Sequence, residues 1–241
     1  MTNKNSIWAS AIIGVALLLC VFVLKGAIVG FSTNNRLTVT GSSERFVKSD
    51  TAKWTITVTK RVTRFSDGPS ALESDVAQVV KVLEKNGFSK EQITMGQAGT
   101  SQVCALSPQG YESCSVGIVA TNFTQTIIVE TPDVDKVYAV QNSFSQDLSS
   151  LSVASSVEYY YNNLKNIRVE MLAEATKNAK ERAEGIALAG GAKVGTITSL
   201  SSGVFQVTSK NSVDVDNAGA YDTSTIDKKI TATVKADFSL K

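Results

Sequence analysis

Alternation of apolar and polar residues predicts β-strands over much of the chain. In residues 53–61, KWTITVTKR, Trp54, Ile56 and Val58 fall on one face and threonines on the other. A period of two is typical of a half-buried strand, which we predict over residues 51–61. Similar alternation, or short apolar runs, predicts further strands at residues 36–41, 93–102, 115–130, 151–162, 194–207 and 228–240.

Three segments instead carry apolar residues at helical spacing, residues 71–85, 134–145 and 164–189. The third has an alanine at every fourth position, which lets a sheet or another helix approach closely. We expect an α+β fold, mainly antiparallel sheet packed by two to three helices, with the last strand closing the sheet. The predicted inward stripe of the third helix is Leu164, Ile167, Met171, Leu172, Ala175, Ala179, Ala183 and Ile186.

The N-terminal residues have the pattern of a membrane-spanning segment. Between residues 7 and 31 the only charge is Lys25, and a helix of that length measures about 37 Å at ~1.5 Å per residue. This exceeds the roughly 30 Å hydrocarbon core of a bilayer. The alternative is a signal peptide, but the apolar run is long and no A-x-A cleavage site follows it. We therefore expect an uncleaved anchor over residues 1–31 and a domain over residues 32–241.

The charge of the predicted domain argues against a nucleic-acid partner. Lys4 and Lys25 are the only charged residues before position 32, so residues 32–241 carry 22 basic and 22 acidic side chains. Nucleic-acid-binding domains usually have a basic face, whereas here the two signs are mixed along the chain. Within the domain, residues 209–225 are rich in Ser, Asp and Asn, which predicts a polar loop or a disordered insert.

Cys104 and Cys114 lie ten residues apart, around Pro108 and Gly110. This spacing suits a hairpin whose strands place the two sulfurs opposite each other, and disulfides persist in the oxidising compartments that exported proteins reach. Two thiols in a chain without histidine do not make a zinc site, and no C-x-x-C motif is present. The pair is predicted to be a structural disulfide, with free thiols or a redox pair as the remaining alternatives.

The sequence offers little for catalysis. It has no histidine, hence no imidazole base, and it has no phosphate-binding loop or G-x-S-x-G motif. Glu44, Asp50 and Glu158 are carboxylates that could serve as acid and base, but nothing in their spacing pairs them, and we expect solvated or helix-capping roles. We therefore expect no catalytic residue, no cofactor and no metal.

Tyr159, Tyr160 and Tyr161 end a predicted strand. Tyrosine rings can stack on a sugar or fill a contact between subunits. Because one ring of three in a strand faces away from the other two, we expect a mixture of core and surface positions. The run is a candidate subunit interface.

Three segments together resemble the SIMPL domain family. Val39-Thr40-Gly41, followed by Asp50-Thr51-Ala52, is similar to the family's opening V-T-G-x-G…P-D-x-A. The alanine-rich helix running into residues 187–200 is similar to its A-x-x-L-G-x-x-x-G-x-(V/I)-x-x-I segment, and residues 230–240 are similar to its closing strand. Two residues depart from the family pattern: Ser43 replaces the second Gly of the opening motif, and Ser49 replaces its Pro.

The resemblance spans most of residues 36–241. It implies an exported α+β domain of the bacterial envelope, with no established catalytic residues, with ring-shaped homo-oligomers among its relatives and with a loose association with envelope or oxidative stress. Our first hypothesis is a non-enzymatic protein of the inner membrane, whose periplasmic domain assembles with itself into a ring or cage. The alternatives are a soluble periplasmic module that binds a small ligand or glycan, and a thiol-disulfide stress protein built on Cys104 and Cys114.

Overall fold

The computed structural model describes residues 35–212 and 219–241. The predicted anchor, residues 1–31, and the middle of the predicted insert lie outside these ranges. The described residues form eight strands and three α-helices, which confirms the α+β class. In chain order these are β1 (Arg36–Lys48), β2 (Thr51–Val62), α1 (Gly68–Lys85), β3 (Ile93–Leu106), β4 (Glu112–Thr131), α2 (Val134–Asp147), β5 (Ser152–Tyr160), α3 (Leu164–Ala189), β6 (Val194–Ser202), β7 (Gln206–Ser209) and β8 (Asp227–Leu240).

The strands form two four-stranded sheets rather than one. The first has the order β3-β4-β2-β5, and all its neighbours are antiparallel. The second has the order β1-β8-β6, with β7 also paired to β8. The expectation that the last strand closes a single sheet is therefore wrong, because β8 pairs only in the second sheet.

The chain divides into two compact units. The larger unit contains residues 42–174 and 203–233, and its described part includes the whole first sheet, α1 and α2. The smaller unit contains residues 35–41, 175–202 and 234–241 of the described chain. Three elements, β1, α3 and β8, contribute residues to both units.

Bulky side chains fill the main core of the larger unit. The predicted alternation of β2 is confirmed, since Trp54, Ile56 and Val58 are fully buried while the threonines between them lie on the other face. The Trp54 ring packs edge-on against Phe144, at 4.5 Å between centroids, and against Phe88 at 6.0 Å. Both helices that cover this face, α1 and α2, contribute buried residues to the same cluster.

Alanines form the α3 side of the core of the smaller unit. Ala179 and Ala183 of α3 are fully buried, in a cluster with Ala236 and Phe238 of β8. A Cβ atom added to Gly41 of β1 would lie 2.1 Å from the carbonyl oxygen of Ala175 and 2.4 Å from the amide nitrogen of Ala179. The backbones of β1 and α3 are thus almost in direct contact, as the predicted alanine stripe requires.

The prediction that Ile186 faces inward is wrong. Ile186 is 54% exposed, whereas Ala187 is buried. The buried row follows the four-residue repeat of the alanines, and Ile186 lies one residue, or about 100° around the helix, away from it.

The C-terminal part of the polar insert is an ordered loop held by Lys228. This side chain has no exposed surface. Its Nζ donates to the carbonyl oxygens of Asp222 at 2.5 Å and Thr225 at 2.7 Å, and lies 3.5 Å from the Asp222 carboxylate. Burial raises the pKa of Asp222, but hydrogen bonds from Ser224 and Thr225 outweigh it and lower the pKa to about 2. Burial also lowers the pKa of Lys228.

None of the helices in residues 35–212 and 219–241 has the length and apolarity needed to span a membrane.

Candidate functional site

The structure contains the predicted disulfide between Cys104 and Cys114, whose Cα atoms are 4.6 Å apart. It joins β3 to β4 close to the end of their hairpin. The turn between the strands is closed by hydrogen bonds from the Ser107 amide to the Tyr111 carbonyl and from the Gly110 amide to the Ser107 carbonyl. Gly110 has a φ of 85°, a conformation that glycine adopts without a steric penalty.

The end of this hairpin extends beyond the sheet. The neighbouring strand β2 pairs with β4 only from Ala52↔Thr131 to Val62↔Thr121. Residues 103–120 therefore pair only within the hairpin, and we call them the arm. Within the arm the register jumps from Cys104↔Ile118 to Ala105↔Ser113, which leaves residues 114–117 outside the ladder.

The arm exposes large apolar side chains on both strands. Among residues 103–120 the only charged residue is Glu112. Scattered exposed apolar residues are normal on a protein surface, but a concentration of them within one hairpin indicates a site of interaction. The exposed apolar side chains of the arm are Leu106 at 66%, Tyr111 at 74%, Val116 at 54%, Ile118 at 54% and Val119 at 48%.

A groove runs between α1 and the base of the same hairpin. Its first stretch has a volume of about 600 Å³ and is lined by Leu72 and Val76 of α1, Met95 and Ala98 of β3 and Phe123 of β4. A second stretch of about 690 Å³ shares Val76 and Met95 with the first and continues along α1 to Val80 and Lys81. We call the two stretches together the groove. Its walls are mainly apolar, because Leu72, Val76 and Val80 of the α1 stripe line it.

The three tyrosines occupy different environments. Tyr159 is buried in the main core. Tyr160 is half-buried, with its ring 6.2 Å from that of Tyr221, and the Tyr161 amide donates to the Tyr221 hydroxyl. Burial raises the pKa of both Tyr159 and Tyr160. The mixture of core and surface positions is as expected, and the role of the run as a subunit interface stays a prediction.

Tyr159 also lines a polar pocket of about 640 Å³. The hydroxyl of Tyr159 makes no hydrogen bond of normal geometry, although Gln141 lies beside it. Tyr138 of α2 and the ion pair between Lys48 and Asp135, at 2.5 Å, complete one side of the pocket. The sequence pointed to Tyr159 but not to its neighbours, because they come from distant segments without a shared motif.

Asp50 caps the start of α3, one of the two roles expected for it. Its carboxylate accepts hydrogen bonds from the amides of Asn162 and Asn163, which precede α3, and from the hydroxyl of Thr51. Glu44 is exposed and Glu158 is half-buried in β5. Within the described ranges, no three His, Cys, Asp or Glu side chains gather as metal ligands would.

A family model matches residues 37–238, which is most of the chain, and is described as SIMPL, a protein of unknown function (DUF541). The chain belongs to the SIMPL family. No curated protein matches it. Among solved structures it is similar to the crystal structure of an unknown protein from Galdieria sulphuraria, with 8% identity over 78% of this chain and 83% of that chain, and a TM-score of 0.24.

The two departures of this SIMPL chain from the family pattern both form hydrogen bonds. The Ser43 hydroxyl donates to the Met171 carbonyl of α3 at 2.8 Å. The amide and hydroxyl of Ser49 both donate to the Ile226 carbonyl, at 2.9 and 3.0 Å. A proline at position 49 would have no amide hydrogen to donate. Both serines therefore bind backbone carbonyls of segments that are distant in the sequence.

Proposed function

We propose that this SIMPL-family chain is a non-enzymatic, membrane-anchored protein of the bacterial envelope, whose periplasmic domain assembles with itself into a ring or cage. The observation that carries the proposal is the arm. The arm exposes five large apolar side chains, and a disulfide joins its two strands. The chain belongs to a family that has oligomeric members. Such a surface is costly to leave in water, and burial against another protein surface removes that cost.

The anchor and the location rest on the apolar run at residues 7–31. An anchored subunit needs only weak contacts to assemble, because attachment to one bilayer raises the effective concentration of its neighbours. A non-enzymatic role fits the lack of histidine and the engagement of Asp50 in capping. The result would be a scaffold of many copies presented at the membrane surface.

Light scattering of the full chain in mild detergent tests self-assembly. We expect a discrete protein mass that is a multiple of 25.6 kDa, and negative-stain images with closed particles. A protein mass equal to one chain at micromolar concentration would contradict the proposal. N-terminal sequencing of the mature protein tests the anchor separately, since a chain that begins near residue 31 would have been cleaved.

A second candidate function is the binding of a small polyhydroxy ligand or glycan in the pocket that Tyr159 lines. The observation that favours it is the buried Tyr159 hydroxyl without a good hydrogen bond, beside Gln141. Titration calorimetry with envelope saccharides tests it, and binding should be lost in Gln141→Ala but not in Gln109→Ala, a matched change in the hairpin turn. An absence of heat with every saccharide would leave self-assembly as the better account.

A further inference from the structure

We propose that the arm of one copy inserts into the groove of a neighbouring copy, so that the assembly is joined head to tail. This inference rests on the proposed self-assembly and names the surfaces that carry it. Both surfaces belong to the larger unit, both are mainly apolar, and neither has a partner within that unit.

The arm is held in an ordered conformation before it binds. An isolated two-stranded hairpin is marginally stable in water. Here the Cys104–Cys114 disulfide and the hydrogen-bonded turn from Ser107 to Tyr111 hold the two strands together. A surface that is ordered before binding loses less conformational entropy when it binds. The arm therefore presents Tyr111 and its apolar neighbours at little entropic cost.

The groove has the complementary chemistry. Met95 is 51% exposed and lines both stretches. Ala98 and Gly99 follow a register shift in β3, and both line the space between the strand and α1. Ala98 has a small side chain and Gly99 has none, so this space stays open. An aromatic side chain such as that of Tyr111 can bury ~150–250 Å² in a space of this kind.

The arm cannot fill the groove of its own chain. The ladder runs without interruption from Ala98↔Gln125, which lines the groove, to Val103↔Ala120, where the arm begins. To reach its own groove the arm would have to reverse direction within a few residues and break these paired hydrogen bonds. The occupant is therefore the arm of a second copy.

Charge is compatible with this contact at the Lys81 end of the groove, whereas Glu73 lines the part that the two stretches share. Glu112, near the tip, is the only charged residue of the arm. At the rim of the groove Lys90 is paired with Glu84 at 3.8 Å, whereas Lys81 has no ion pair with any residue that the structure describes. Lys81 can therefore pair with Glu112 of the inserted arm.

The contact has a geometric consequence. Arm and groove are different surfaces. Each copy therefore inserts its arm into one neighbour and receives the arm of another neighbour in its groove. Contacts of this heterologous kind close into a ring if the rotation per copy divides a full turn, and otherwise continue as a filament.

Complementary variants of the full chain in detergent test the proposal. Tyr111→Asp damages the arm and leaves the groove, whereas Met95→Asp damages the groove and leaves the arm. Each variant alone should lose the assembled species and run as a monomer. An equimolar mixture should form a discrete dimer, because one intact arm then meets one intact groove. Val169→Asp, a change at a position of α3 that is 78% exposed, is the control and should keep the mass of the wild type.

The outcomes separate this inference from the proposed function. If the wild type is assembled but both variants keep its mass, or if the mixture stays monomeric, the arm-to-groove contact is wrong while self-assembly stands. A monomeric wild type overturns both. Should Met95→Asp unfold at a lower temperature than the wild type, Ala98→Arg replaces it as the groove variant, since Ala98 is exposed.

A photo-crosslinker in place of Tyr111 gives an independent measurement. Heavy-isotope and normal copies are mixed, and crosslinked peptides that contain both isotopes come from two chains. We expect such peptides to join position 111 to residues 68–85 or 93–100. Crosslinks that reach only detergent or lipid would show that the arm inserts into the membrane, and would overturn the proposal.

Discussion

In the larger unit α1 and α2 pack on the sheet through bulky side chains, whereas in the smaller unit α3 lies against β1 through glycine and alanine. The first arrangement buries aromatic rings around Trp54, and its stability comes from apolar area. The second brings two backbones together at Gly41 and buries little area per residue. The two units should therefore be destabilised by opposite kinds of substitution. Removal of atoms should damage the larger unit, and addition of atoms the smaller one.

The largest effect is expected for removal of the central ring of the larger unit. Trp54 is fully buried between Phe88 and Phe144, so Trp54→Ala leaves a cavity and should cost about 3–5 kcal/mol of unfolding free energy. Urea unfolding followed by circular dichroism measures it. Thr55→Ala, one residue away on the opposite face, is the control and should cost less than about 1 kcal/mol. Equal effects of the two substitutions would contradict the account of this core.

Addition of one methyl group to the smaller unit should come next. The Cβ of Gly41→Ala would overlap backbone atoms of Ala175 and Ala179, and we expect a loss of about 2–3 kcal/mol. Gly185→Ala is the matched control, because nothing lies within 4 Å of its added Cβ. In the interior of α3 that change should stabilise the protein by roughly 0.5–1 kcal/mol. A Gly41→Ala protein as stable as wild type would show that α3 can move away from β1 at no cost.

The cap of α3 offers a way to weaken the helix without touching either core. Asp50→Ala removes the acceptor for the amides of Asn162 and Asn163 and should cost about 1–2 kcal/mol. Glu44→Ala, at an exposed carboxylate of β1, is the control and should change the unfolding free energy little. An Asp50→Ala effect no larger than that of the control would mean that the cap does not hold the helix.

A pH-dependent effect is expected from Asp222. The pKa of Asp222 in the folded chain is about 2, below its ordinary value of 3.8. A lowered carboxyl pKa gives stability that is fully present above the ordinary value and is lost as the pH falls towards the folded value. Thermal unfolding at pH 5, 4, 3 and 2 should therefore show a decline between about pH 4 and 2 that is shallower in Asp222→Asn. Parallel declines in the two proteins would contradict the role of Asp222.

Local patterns predicted the elements, but not their pairing. The alternation of β2 and the spacing of α1, α2 and α3 gave correct types and nearly correct bounds, because these patterns record which face is buried. Strand β1 was expected to end at Gly41 but continues to Lys48. Glycine in a sequence indicates a turn, whereas here it provides a close approach to α3. The predicted strand at 194–207 is divided into β6 and β7, which both pair with β8.

The candidate site was only partly predictable for the same reason. Two cysteines around a Pro and a Gly were enough to predict the hairpin and its disulfide. The groove combines residues of α1, β3 and β4 that are up to 56 positions apart, from Pro69 to Gln125, and no local pattern links them. The exposure of the arm depends on where β2 stops pairing, which is a property of the sheet and not of the arm's own sequence.

The rate at which the Lys228 amine is acylated can report how often the segment that encloses it opens. This amine is covered by the carbonyls of Asp222 and Thr225 and has no exposed surface, whereas the Lys177 side chain of α3 is 80% exposed. An acylating reagent should modify Lys177 at the rate of a free amine and reach Lys228 only when the loop around it opens. The ratio of the two rates, read by mass spectrometry on intact protein, would give the fraction of time that this loop spends detached.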